Sequence, residues 1–186
     1  TSIASTCPPL RVEGTSTAAT DDLVAFSGTR SGGQVEAMEV VQSGTAPALT
    51  GIGLTVRDSV VVNKSTTGVA GLLTGYVIGS TLIADLSSGI ALEVSTARFP
   101  LYGQLVVRNA ILRGGAGTGG RDLRVTDDDG FGPKSAAGDI DYSSFRSGRT
   151  QGPFGGGLVL GTSNVTASPP LLVTLSGGLD VHPQDG

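Results

Sequence analysis

Most aromatic residues of this chain, together with several arginines, fall in two stretches where they could form a binding surface. Aromatic rings and guanidinium groups on exposed loops are frequent anchors of protein interfaces, and they can also stack against sugar rings. The same side chains could instead pack against each other as a small local core. The candidate binding residues are Arg98, Phe99, Tyr102, Phe131, Tyr142, Phe145, Arg146 and Phe154.

An acidic run in the second stretch, Thr126 to Gly130, could bind calcium. Asp127 and Asp129 are the candidate ligands, because calcium prefers carboxylate oxygens. The ligand spacing of an EF-hand loop and its distal glutamate are missing, so a solvated acidic turn is the competing interpretation. No other cofactor is expected: Cys7 is the single cysteine, and His182 is a lone histidine in a tail flanked by proline and glycine.

Two asparagines stand in acceptor sequons for N-linked glycosylation: Asn63 in Asn-Lys-Ser and Asn164 in Asn-Val-Thr. Such triplets also arise by chance in a chain this rich in Ser and Thr. The two asparagines are candidate glycosylation sites, and they favour a secreted protein.

Length and charge narrow the class of protein. A chain of 186 residues is long enough for one domain with a sizeable core. The net charge of −4 offers no basic surface for a nucleic acid. No apolar run reaches the roughly 18 residues that a membrane span needs, so no insertion into a membrane is expected.

A repeat dominates the middle of the chain and must position the candidate residues. Ser59 and Ser80 have the same separation as Gly68 and Gly89, which gives a period of about 21 residues. A third copy begins at Val107 and has alanine in the position of the two serines. The apolar segments are short, rich in Val, Ile and Thr, and bounded by Gly, Ser, Asn and Asp, which is typical of β-strands.

One position of the repeat predicts a corner between two strands. It is occupied by Asp58, Gly79 and Asn109, residue types that tolerate left-handed backbone. A unit of this length cannot bury its own apolar face, so successive units should stack in parallel sheets. Over residues 54–125 the pattern resembles the right-handed parallel β-helix proteins, whose coils have about this length and carry such residues at a corner. An antiparallel β-sandwich is the alternative.

The spacing between copies locates two insertions. Extra residues occur at Ser95 to Gly103 and again between Asp127 and Gly157, both after the third strand of a unit. In a stacked solenoid we expect these two loops to leave from one edge. A weaker last copy spans Val159 to Val165, continues with a strand over 171–175, and puts Gly161 at the corner with Thr162 in the small-residue position.

The sequence thus predicts one all-β solenoid domain over 1–186, with coils of about 21 residues. Its parts are irregular early coils or a cap (1–50), regular coils (51–125), a long insertion (126–157), and a last coil with a tail (158–186).

The resemblance implies a possible relation to carbohydrate enzymes such as pectate lyases. Those enzymes use carboxylates on one sheet face, often with calcium. The predicted strands supply no carboxylate pair along one strand; their charged residues are Arg57, Asp58, Glu93, Arg108 and Arg113. We therefore expect a non-enzymatic structural or adhesive module, extracellular or at the cell surface, that assembles with other protein chains or with itself. A carbohydrate-active β-helix enzyme or glycan-binding module is the first alternative, and a subunit of a filament or virion is the second.

Overall fold

The computed structural model describes residues 10–15, 24–26, 33–84, 86–95, 103–126, 136–152, 158–166, 173–175 and 178–180. This part of the chain is all-β, apart from a single 3-10 turn at Ser147–Arg149. It contains no helix that is long and apolar enough to cross a membrane. The strands are β1 (Leu10–Gly14), β2 (Val24–Phe26), β3 (Gln34–Glu36), β4 (Met38–Gln42), β5 (Leu49–Arg57), β6 (Val60–Asn63), β7 (Val69–Ile78), β8 (Thr81–Ala84), β9 (Ile90–Ser95), β10 (Gly103–Arg108), β11 (Ile111–Gly114), β12 (Arg121–Thr126), β13 (Ala136–Asp141), β14 (Thr150–Gln151), β15 (Leu158–Leu160), β16 (Val173–Leu175) and β17 (Gly178–Asp180).

The strands from β1 to β15 pair in parallel and form two sheets. The first sheet has the order β1-β4-β6-β8-β11. The second has the order β14-β12-β9-β7-β10-β13-β15, with β5 beside β7 and with β2 and β3 beside β5. The prediction of an all-β fold is confirmed, and the antiparallel sandwich is wrong for these strands.

The sequence repeat sets the register of the sheets. Val56 pairs with Val77, Val60 with Thr81, and Val69 with Ile90, so partners are one full period apart in each case. Residues at equivalent positions of successive repeats therefore lie side by side on neighbouring strands.

This register brings like side chains together in the core. Apolar residues line up across neighbouring strands and belong to one hydrophobic cluster. Rows of aliphatic side chains interlock without polar groups and remove almost all of their surface from water. One row consists of Val35, Val56, Val77, Val107 and Ile140, each no more than 1% exposed.

A residue with positive φ precedes the strands and the bridge of the first sheet at equivalent positions. Asp58, Gly79 and Asn109 have φ of 48°, 58° and 52°, which confirms the predicted corner. Ala37 and Tyr142 adopt the same conformation, with φ of 50° and 49°, although their residue types disfavour it. We call these five residues the positive-φ corner.

Buried side chains directly after this corner link neighbouring strands. The backbone N–H of Ser59 donates to Oγ of Ser80 at 3.2 Å, and that of Ala110 donates to Oγ of Ser143 at 3.2 Å. Each hydroxyl also donates to the carbonyl two residues earlier, as Ser80 Oγ does to the oxygen of Ile78 at 2.9 Å. One serine therefore satisfies two buried backbone groups, and we call this row the serine ladder.

The last repeat differs from its prediction. Asn164 occupies the ladder position, because its Oδ1 accepts the backbone N–H of Ser143 at 2.9 Å. Gly161 and Thr162, predicted for the corner and the small-residue position, each lie two residues before the position predicted for them. The predicted strand at 171–175 is β16 in the structure, and it pairs antiparallel with β17 instead of extending a parallel sheet.

The predicted insertion over 126–157 is also shorter than expected. β13 and β14 lie within it, and they pair in parallel with β10 and β12. Residues 136–151 therefore contribute a further repeat to the sheets. Spacing alone missed this repeat because its small residue, Ser143, follows Ala110 by well over one period.

Candidate binding edge

The strands that flank the two insertions are in register on both sides. β9 ends at Ser95 and β12 ends at Thr126, and these two residues are paired. β10 begins at Gly103 and β13 begins at Ala136, which are paired as well. We call the interval between the Ser95–Thr126 pair and the Gly103–Ala136 pair the insertion edge. The described flanks of the two insertions therefore adjoin on neighbouring strands.

Many of the predicted site residues lie outside the described residues. They are Arg98, Phe99, Tyr102, Phe131 and Phe154, together with the candidate calcium ligands Asp127 and Asp129. Their roles remain predictions. In the part of the chain that the structure describes, no three His, Cys, Asp or Glu side chains come together as a metal site.

Tyr142 is an exposed member of the predicted set. Its side chain is 62% exposed, and it belongs to the positive-φ corner. Its backbone N–H donates to Oδ1 of Asp141 at 3.0 Å, which supports the bend. The whole of β13 separates Tyr142 from the insertion edge, so Tyr142 lies at the other end of that strand.

Phe145 corrects the prediction of an exposed aromatic anchor. It is 1% exposed and belongs to the hydrophobic core cluster. The bridge between Ile111 and Ser144 puts Phe145 beside Leu112, in a row that continues through Leu82 and Val61. Its ring fills the core and is not available to a partner.

Arg146 is engaged inside the protein. Its Nη2 lies 2.5 Å from Oδ1 of Asp122, and its backbone N–H donates to Oδ2 of the same carboxylate at 2.6 Å. Asp122 is 0% exposed and also accepts the N–H of Gly114 at 2.7 Å. A buried carboxylate needs such a counter-ion and hydrogen bonds. Arg146 therefore links its own repeat to β12 through Asp122. This structural role corrects the prediction that Arg146 binds a partner.

The asparagine side chains of both sequons make hydrogen bonds within the protein. Asn63 is 1% exposed, and its Nδ2 donates to the carbonyl oxygens of Ala46 and Val69 at 2.8 and 3.1 Å. Nδ2 of Asn164 donates to Ile140 and Gly161, both at 2.9 Å. An N-linked glycan replaces one proton of Nδ2, and both protons are used here. A glycan at either position would therefore cost one of these hydrogen bonds, and Asn63 is also buried. Glycosylation of the two sequons stays a prediction.

Ion pairs stand on both sides of the insertion edge. Nη2 of Arg124 contacts both carboxylate oxygens of Glu93 at 2.7 Å, just before the paired strand ends. Arg108 Nη2 contacts Asp139 Oδ2 at 2.8 Å on the far side. Each of these two carboxylates is thus paired with an arginine. Asp141 lies two residues after Asp139 on the same face of β13, and its Oδ1 accepts the backbone N–H groups of Tyr142 and Ser163 at 3.0 and 3.1 Å.

A shallow open groove of about 250 Å³ lies where β5 and β7 pass the insertion edge without a break. Gly53 and Gly75 have positive φ, of 60° and 111°, and the pairing of β5 with β7 shifts register at this point. Tyr76 is 51% exposed at the groove. The lining residues are Ile52, Gly53, Thr74, Gly75, Tyr76, Gln104 and Val106.

The sequence analysis did not identify Tyr76, Gln104 or Asp122 as important. Tyr76 precedes the inward Val77, so strand alternation could have placed it on the outer face. Asp122 carries no such signal, because its partner Arg146 belongs to a different repeat. No protein-family model matches this chain, and no curated protein or solved structure is significantly similar to it.

Proposed function

We propose that this protein is a right-handed parallel β-helix that acts outside the cell or at its surface, where it presents loops 96–102 and 127–135 to another protein chain. The observation that carries the proposal is the register of the insertion edge, with Ser95 paired to Thr126 and Gly103 paired to Ala136. Neighbouring strands are about 4.8 Å apart, so both loops start and end within one strand spacing of each other.

A rigid frame under paired loops favours binding. Loops that are anchored at both ends lose less conformational freedom on binding than free segments do. The rows of buried valine and the serine ladder hold these anchors in register. Keeping a frame constant while its loops vary is a common way to build a recognition surface.

The charges of the described edge support a binding role over a catalytic one. Glu93 and Asp139 both pair with arginines. Asp141, on the same face of β13 as Asp139, accepts the backbone N–H groups of Tyr142 and Ser163. Asp127 and Asp129 remain candidate ligands for calcium, which would act here by ordering the second loop.

The test uses loop replacement. Each loop is exchanged for a glycine-serine segment of equal length, and a finer variant combines Phe99→Ala with Tyr102→Ala. A partner is first identified by affinity capture and mass spectrometry, then purified, and its Kd is measured by calorimetry. We expect each loop replacement to weaken binding by about tenfold or more, which corresponds to about 1.4 kcal/mol.

The matched control is Lys64→Ser, a change of an exposed residue in a turn away from the insertion edge. It should leave both the Kd and the melting temperature unchanged. Full affinity of a chain that lacks both loops would refute the proposal. A lower melting temperature of the variant with Phe99→Ala and Tyr102→Ala would instead mean that these two rings form a local core.

A second candidate function is end-to-end assembly, because β15 and the bridge residue Val165, at the end of the parallel sheets, expose apolar side chains. Val159, Leu160 and Val165 are 62%, 40% and 59% exposed, and β15 is the last strand of its sheet. An unpaired strand edge can add a strand from another chain. The opposite end differs: on β1, Arg11 contacts Glu39 at 2.8 Å and Glu13 at 3.1 Å. The hydrogen bond to Glu13 and the charge of Glu39 raise the pKa of Arg11.

Sedimentation across a range of concentrations tests this assembly. We expect the mass to rise with concentration, and we expect the double variant Val159→Lys, Val165→Lys to remain a single chain. Leu86→Lys is the control, because Leu86 is 45% exposed in a turn away from β15. A single-chain mass for the unaltered protein at every concentration would exclude this function.

A further inference from the structure

We propose that the groove beside the insertion edge binds one neutral sugar ring, stacked on Tyr76. Strands β5, β7 and β10 supply the described lining of this site. Three features carry the inference: a half-exposed aromatic ring, a side-chain amide that faces solvent, and two glycines in the lining.

Tyr76 supplies the stacking surface. Its side chain points away from the valine row and is 51% exposed, although it stands in the middle strand of three paired strands. Val106 is its strand partner on β10, and Ile52 also lines the groove. A pyranose ring has an apolar face of C–H groups, which packs against an aromatic ring of this kind, while its hydroxyl groups remain at the periphery.

Gln104 supplies the hydrogen bonds. Its side chain is exposed, and it makes no hydrogen bond with another described residue. An amide offers a donor and an acceptor, which matches adjacent hydroxyl groups of a sugar. Thr74, the other polar side chain in the groove, already accepts the N–H of Gly53 at 2.8 Å and is 2% exposed. Gln104 is therefore the polar group that faces a ligand.

Two glycines keep the groove open. A Cβ atom on Gly75 would collide with the carbonyl oxygen of Leu54, so no larger residue fits there without a shift of the backbone. Gly53 adopts a φ of 60°, which also favours glycine. Both positions therefore favour glycine, and neither adds a side chain to the groove.

The charges near the groove favour a neutral ligand. None of its seven lining residues is charged. Among the described residues, Arg57 and Arg108 are cations on the same face; they lie two positions beyond Thr55 and Val106, the strand partners of Tyr76, at a distance of roughly 6.6 Å along the strand. Arg108 is already paired with Asp139. A uronic acid would therefore find no free counter-ion in the groove itself.

The experiment measures binding of defined oligosaccharides to the full chain by saturation-transfer NMR, followed by titration. The neutral probes are cellotetraose, xylotetraose, mannotetraose and galactotetraose, and trigalacturonate is the acidic counterpart. We expect at least one neutral probe to bind and trigalacturonate to bind at least about tenfold more weakly. Tyr76→Ala should abolish binding, Tyr76→Phe should retain it, and Gln104→Ala should weaken it about fivefold to tenfold, the effect of one lost hydrogen bond.

Two controls separate this proposal from its alternatives. Tyr142→Ala removes an equally exposed tyrosine elsewhere and should leave sugar binding unchanged. The chain with both loops replaced should still bind the sugar, so a failure of the loop proposal would not affect this one. Melting curves of the Tyr76 variants show whether the ring serves only to pack against its neighbours on the sheet.

Three results would overturn the inference. They are the absence of binding by all four neutral probes, a preference for trigalacturonate, and equal affinity of the unaltered chain and Tyr76→Ala.

Discussion

Two places in each repeat, the positive-φ corner and the insertion edge, differ in whether they admit extra residues. At the positive-φ corner, a single left-handed residue is followed by a buried ladder position, and no repeat from Ala37 to Tyr142 adds a residue there. At the insertion edge, β5 and β7 pass without a break, while β9 and β12 are followed by segments 96–102 and 127–135 before the next strand begins.

Hydrogen bonding explains the difference. Each ladder serine accepts an N–H from the neighbouring repeat and donates to its own strand, so an added residue would break bonds in two repeats at once. At the insertion edge, one comparable bond joins β5 and β7, from the N–H of Gly53 to Oγ1 of Thr74 at 2.8 Å, and the described residues do not repeat it on the other strands. The positive-φ corner is therefore constrained by the two sheets, whereas the insertion edge tolerates segments of different length. A binding function can be added at the insertion edge.

The strongest test of this difference is to insert the same segment at the positive-φ corner and at the insertion edge. A short glycine-serine segment between Gly79 and Ser80 would separate the corner from the ladder. It would disrupt the bonds from Ser59 N–H to Ser80 Oγ and from Thr81 N–H to the oxygen of Ser59. Each buried group left unpaired costs about 1–3 kcal/mol, so we expect the folded state to be lost.

The matched insertion between residues 98 and 99 should be tolerated. Doubling the length of a loop costs only about 0.6 kcal/mol of closure free energy. Urea denaturation of both variants gives the comparison. Equal destabilisation at the two places would show that the insertion edge is as constrained as the corner.

Phe145→Ala is expected to have the next largest effect, because the ring belongs to the frame. Truncation of a fully buried phenylalanine costs about 3–5 kcal/mol. Phe99→Ala, in the first predicted loop, serves as the control and should change the free energy of unfolding by less than about 0.5 kcal/mol, as an exposed residue does. A small loss for Phe145→Ala in urea denaturation would contradict its place in the core.

The contrast between these two phenylalanines shows what the sequence could predict. Asp58, Gly79 and Asn109 predicted the corner correctly, because their types report the backbone conformation that the corner needs. The pairing of strands one period apart followed from the same copies. The corner signal is local to one repeat, and the pairing needs only the offset between successive copies.

The unpredicted features depend on contacts between distant repeats. Phe145 looks like a loop residue until Ser144 is seen to bridge to Ile111 of the preceding repeat. Asp122 and Arg146 are charged, and only the fold brings them together in the core. Tyr142 breaks the residue preference of its own corner position, so its repeat could not be recognised from that position.

The serine ladder allows a finer test of the corner. Ser80→Ala removes the acceptor of the Ser59 N–H, and we expect a loss of about 1–3 kcal/mol because that group is buried. Ala110→Ser restores a hydroxyl at an alanine in the same row, and we expect a gain of up to about 1 kcal/mol. Ser163→Ala, at an exposed serine, is the control. Opposite signs for the two ladder variants in urea denaturation would support the ladder, and two neutral results would contradict it.

Tyr142→Asn is expected to have the smallest effect, and it distinguishes a structural corner from a functional one. Left-handed backbone costs a residue with a large side chain about 1–2 kcal/mol, and asparagine adopts it more readily, as Asn109 does at the equivalent position. We therefore expect a gain of roughly 0.5–1 kcal/mol in urea denaturation. Strained residues often persist where they serve binding. If the exposed Tyr142 ring contacts a partner, the variant should gain stability and lose affinity; a loss of stability would instead mean that the ring supports the frame.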